Sequence, residues 1–124
     1  MVREKRRVDR ELTFLMLKAA SDAEEYVALR REVYLANDRL GRFARRGLRN
    51  CIFEFCESAS RLSAAFRAAN ALPWAELLQM RQDLGHDYPE VPAERAEEFA
   101  RLSMIPAARR LRRARFPKSP DVPK

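Results

Sequence analysis

Apolar residues recur at steps of three and four through Leu12, Leu15, Met16, Ala19, Ala23, Tyr26, Val27 and Val33. That spacing is one face of an amphipathic helix. Asn37-Asp38 follows as a turn or N-cap signal. A second helix is predicted over roughly 39–69. At about 100° per residue, Leu40, Ala44, Leu48, Cys51, Phe55, Ala59, Leu62 and Phe66 fall in one stripe, the expected core face. Arg42, Arg45, Arg46 and Arg49 cluster away from it, beside Phe53. No proline occurs before Pro73, so both helices can be long. Asn70 closes the second.

Pro73 suits the first turn of a third helix, predicted from Trp74 to about Leu84 with Trp74, Leu77, Leu78 and Leu84 as its apolar residues. Gly85 is the expected C-terminal stop, and Pro89 and Pro92 prevent continuation. Pro92 opens a fourth helix, with Glu94, Glu97 and Glu98 in its early turns, where the helix dipole favours acids. Pro106 must kink or restart it. Together these elements predict an all-α, antiparallel helical bundle of about four to five helices with short loops. Residues 1–116 form the domain. Phe116 to Lys124 holds three prolines and no period, so 117–124 is expected to be a disordered basic tail.

Composition supports the same fold class. Ala, Leu, Glu and Arg, all strong helix formers, supply 66 of 124 residues, whereas Val, Ile and Thr total 9, too few for a sizeable sheet. No apolar run approaches the roughly 20 residues of a membrane span. The charged N-terminus is not followed by a signal-peptide cleavage site. A soluble, cytoplasmic protein with no membrane contact is expected.

Charge sharpens the picture. The net charge is +7, and it lies at the two ends: +3 over residues 1–10 and +6 over residues 109–124, against −2 between them. Arginine outnumbers lysine 21 to 4, which suits forked contacts to phosphate. The face carrying Arg42, Arg45, Arg46, Arg49 and Phe53 reads either as a solvated surface or as an RNA surface.

Cys51 and Cys56 are five apart, match no zinc spacing, and are expected to be reduced helix residues. With a lone His86, no metal site and no cofactor are expected. The chemistry concentrates in Met80-Arg81-Gln82-Asp83-Leu84-Gly85-His86-Asp87-Tyr88. Arginine can fork onto a phosphate, and histidine moves protons near neutral pH. RNA supplies its own nucleophile, the 2′-hydroxyl, so cleavage needs only acid–base help and charge stabilisation. Arg81 and His86 are five apart, about 140° on a regular helix. They meet only if the helix unwinds at Gly85 or if a second copy contributes. The bland alternative is a helix end that His86 and Tyr88 merely cap and pack.

The R-x4-H-x-Y pattern of Arg81, His86 and Tyr88 resembles the signature of HepT-like ribonuclease toxins of the HEPN superfamily. Leu72-Pro73-Trp74 before Met80-Arg81, the segment from Glu57 to Leu62, and Ile105-Pro106 are similar to that family's flanking segments. The likeness covers roughly residues 9–111. It implies a metal-independent endoribonuclease toxin that works as a homodimer, with two motifs facing one cleft. It also implies a partner, an MntA-type nucleotidyltransferase antitoxin that transfers AMP to the motif tyrosine. On that basis Arg81 would hold the scissile phosphate, His86 would be the general acid–base group, and Tyr88 the AMP acceptor. Gln82, where the family commonly has Asn, would support them.

Two other readings compete: a non-catalytic helical subunit that docks a nucleotidyltransferase, and a small basic nucleic-acid binder. The absence of a helix-turn-helix pattern weakens the last.

Overall fold

The computed structural model describes residues 2–86 and 91–117. They form an all-α bundle, with no strand among the described residues. The elements are α1 (Val2–Val27), α2 (Arg31–Tyr34), α3 (Arg39–Arg61), α4 (Ala64–Ala69), α5 (Trp74–His86) and α6 (Ala93–Phe99). A π-helical turn, Ala100–Met104, then runs into α7 (Ile105–Leu111). No described helix is long and apolar enough to cross a membrane.

Helices α1 and α3 pack antiparallel, with Asp9 against Ser63 near one end and Tyr26 against Gly47 toward the other. The predicted stripe from Ala44 to Phe66 is buried throughout. Leu40 is the exception at 57% exposed. It lies in the first turn of α3, where Asp38 caps the helix by accepting from Gly41 N–H at 2.8 Å. Leu15 is likewise 48% exposed. Its neighbour Met16 takes the core position, and consecutive helix residues diverge by about 100°.

Both long helices end earlier than their periodicity suggests. The first breaks after Val27, where Arg30 turns extended. The chain then buries Tyr34, whose hydroxyl donates to the Ala93 carbonyl at 3.0 Å. Burial pushes the Tyr34 phenol up to about 12. The second breaks at Leu62–Ser63. Ser63 Oγ caps α4 by accepting from Phe66 N–H at 3.1 Å, while Ser63 N–H and Oγ–H donate to the two Asp9 carboxylate oxygens at 2.9 and 2.7 Å. The third helix does the opposite and continues through Gly85 to His86.

Pro106 has no N–H to give the Leu102 carbonyl and crowds it. The helix responds by widening, so that Ile105 N–H reaches Ala100 O. Trp74 Nε1–H donates to the Arg67 and Asn70 carbonyls at 3.0 and 2.9 Å, tying α5 to the end of α4. Asn70 clamps the C-terminal segment: its amide donates to Arg115 O at 2.9 Å, and its oxygen accepts from Arg115 N–H at 2.7 Å. Phe116 therefore docks, its ring 5.2 Å from Phe66 and 4.3 Å below the Arg10 guanidinium. The described residues thus run to Pro117, the first residue of the expected tail. Residues 118–124 of that tail lie outside the described residues. Cys51 and Cys56 are buried and unbridged. Burial pushes the Cys51 thiol up to about 11 and Cys56 higher still, which disfavours the thiolate form.

Candidate active site at the end of helix α5

Helix α5 lies antiparallel on α3. Arg81 sits opposite Glu57, and Gly85, one turn on, sits over Phe53. Arg81 and Glu57 pair side by side: Nε–H donates to Oε1 at 3.0 Å and Nη2–H to Oε2 at 3.3 Å. Ser60 Oγ is 2.6 Å from the Glu57 carbonyl oxygen and 3.1 Å from Oε1. The Arg81 hydrogen bonds hold the Glu57 carboxyl below its ordinary range. The pairing is therefore complete at neutral pH and is lost only as pH falls through that depressed value.

His86 closes the last turn of α5 and is exposed. Because α5 stays regular to this residue, Arg81 and His86 point about 140° apart within one chain. Unwinding at Gly85, one of the two ways they could meet, does not occur. Gln82 is exposed one residue beyond Arg81. Asp83 turns toward α6, where Arg95 Nη2–H reaches its carboxylate at 2.6 Å and Gln79 donates at 2.9 Å. Arg95 first, then Gln79, lowers the Asp83 carboxyl from its usual value. Asp83 is thus committed to packing α6 on α5. Tyr88, the expected AMP acceptor, and Asp87 lie outside the described residues.

Gly85 was expected to stop the helix, and instead it is helical. A Cβ built there meets only Phe53 Cε1, at 3.7 Å, an ordinary contact. Gly85→Ala is therefore expected to stabilise the protein by about 0.5 kcal/mol by restricting the unfolded chain. Urea unfolding measures this. A loss of stability would show that position 85 needs a conformation other than helix.

The four arginines of α3 divide into two pairs. Arg45 Nη1–H donates to the carbonyls of Tyr34 and Ala36 at 2.7 and 2.9 Å, closing the end of α2. Arg49 Nη2–H donates to the Val91 carbonyl. Both are half-buried, with these donors engaged by backbone carbonyls. Arg42 and Arg46 remain exposed. They fall within about 40° of Phe53 around α3, on the stripe that α5 covers farther along. Arg39 is exposed beside them, and Arg39 to Phe53 contains five arginines and no acid. Arg39, Arg42 and Arg46 pair with no carboxylate among the described residues. Phe53 itself is half-buried under α5 and is not a free stacking platform.

Two residues that the structure places beside these were not singled out in the sequence. Glu57 was noticed only inside a segment resembling the HepT-like family, because its partner is 24 residues away on another helix. Arg39 was missed because it falls in the first turn of α3. No group of three His, Cys, Asp or Glu side chains gathers as a metal site among the described residues. No family model matches the chain, and neither a curated protein nor a solved structure matches it.

Proposed function

We propose that the protein is a metal-independent endoribonuclease toxin of the HepT-like kind, acting as a homodimer. The observation that carries this reading is the meeting of two features at one place. The helix bearing Arg81 and exposed His86 ends on an α3 stripe whose continuation is exposed, basic and free of acids. Arg81 grips the scissile phosphate and offsets the charge that grows there. His86 of the other copy takes the proton from the RNA 2′-hydroxyl as its oxygen attacks phosphorus. The imidazolium so formed then gives its proton to the departing 5′-oxygen. The products carry a 2′,3′-cyclic phosphate and a 5′-hydroxyl. Arg42 and Arg46, with Arg39, bind flanking phosphates, a contact that weakens as salt rises. In this reading a nucleotidyltransferase antitoxin silences the site by placing AMP on Tyr88, adding bulk and negative charge two residues beyond His86 in sequence.

The test is direct. The purified protein is expected to cleave single-stranded RNA in EDTA, leave cyclic phosphate ends, and sediment as a dimer. Absence of cleavage alongside AMP transfer to Tyr88 would instead favour a non-catalytic subunit that docks a nucleotidyltransferase. Products ending in 3′-hydroxyl would refute the chemistry.

A further inference from the structure

We infer that Glu57 is a positioning residue that holds Arg81 by one edge so that the other edge faces the phosphate, an assignment that rests on the ribonuclease reading. The geometry is specific. A guanidinium has five N–H donors on two usable edges. Glu57 occupies the side edge through Nε–H and one Nη2–H. Both Nη1–H donors and the second Nη2–H remain, and one from each nitrogen forms the end-on fork that matches two phosphate oxygens. The Arg81 side chain is 38% exposed, so its pairing with Glu57 does not enclose it. Ser60 fixes the Glu57 end of the pair. Without Glu57, Arg81 would be a long, freely rotating side chain, and the entropy of ordering it would fall on the reaction step.

A carboxylate beside a phosphate site also repels RNA, and this makes the proposal sharply testable. If Glu57 only repels, its removal strengthens binding and speeds cleavage. If it positions Arg81, its removal leaves binding equal or tighter but slows the reaction. Glu57→Ala is expected to lower kcat by about tenfold to a hundredfold without raising KM, and Glu57→Gln, which keeps one acceptor oxygen, to fall between it and the parent. In an Arg81→Ala background, Glu57→Ala should cost nothing further.

Nitrogen-15 NMR gives a readout independent of activity. The Arg81 Nε–H signal should be protected from exchange in the free protein. It should stay protected when an uncleavable 2′-O-methyl RNA oligonucleotide is added, while the Nη signals move. A Glu57→Ala kcat at or above the parent, or an oligonucleotide that strips Arg81 Nε–H of its protection, overturns the proposal. Nη signals that move with Nε–H protected, in a protein that cleaves no RNA, would retain Glu57 as the positioning residue of a binding site and refute the nuclease reading alone. An oligonucleotide that leaves every Arg81 signal unmoved would refute both.

Discussion

Arg81→Ala and His86→Ala should each lower RNA cleavage by about 10²- to 10⁴-fold, with the helical signal and melting temperature almost unchanged. The reason lies in where the two side chains sit. Neither contributes to the core: Arg81 is half-exposed on α3, and His86 is exposed at the end of α5. The Arg81–Glu57 pair is open to water on one side, and such pairs add little to stability. The loss should therefore be chemical. Mixing the two variants tests which copy supplies each side chain. Because α5 is regular, Arg81 and His86 of one chain point about 140° apart, and the proposed site draws them from different copies. Mixed dimers then regain an intact Arg81 facing an intact His86, and cleavage should partly recover. No recovery in a mixture shown to exchange subunits would remove the shared site.

The second large effect concerns stability. Asp9 is 2% exposed and binds both the backbone N–H and the hydroxyl of Ser63, 54 residues away. It pins α1 to the break between α3 and α4. Asp9→Ala should cost about 2–3 kcal/mol, because it removes two charge-assisted hydrogen bonds and strands a Ser63 donor. For a chain of this size that is roughly 6–15 °C in Tm. Asp9→Asn keeps an acceptor for Ser63 N–H and should lose less. Arg7→Ala, which breaks only exposed pairs with Glu4 and Glu11, should lose almost nothing. A Tm for Asp9→Ala within a degree of the parent would show that the break at Leu62–Ser63 forms without this contact.

These cases show how far a sequence can be read. Hydrophobic period found the faces of α1 and α3, since burial of one stripe is a local consequence of helix geometry. It could not find where those helices end. The break at Val27 is imposed by seating Tyr34 under Ala93, and the break at Leu62 by Asp9. The apolar stripe runs on past Ser63 to Phe66, so the period alone gives no break there. Arg45 and Arg49 illustrate the same limit. Their angle around α3 is right, yet nothing nearby in sequence reveals that the carbonyls of Tyr34, Ala36 and Val91 claim their donors. Arg81 and His86 were legible as chemistry because arginine and the sole histidine share a short segment. Glu57 was not, because antiparallel packing, not spacing, brings it to Arg81.

The Asn70 clamp has a practical corollary for rewiring the chain. By holding Arg115 and seating Phe116 under Arg10, it returns the chain after α7 to the side of α1 and α4, away from the end of α5 where His86 is exposed. A peptide linker run from this segment to the start of α1, with new termini opened elsewhere, would then leave the surface around His86 undisturbed. The same proximity means that two copies fused in tandem need a linker long enough to reach from this pole of one bundle to the same pole of its mate.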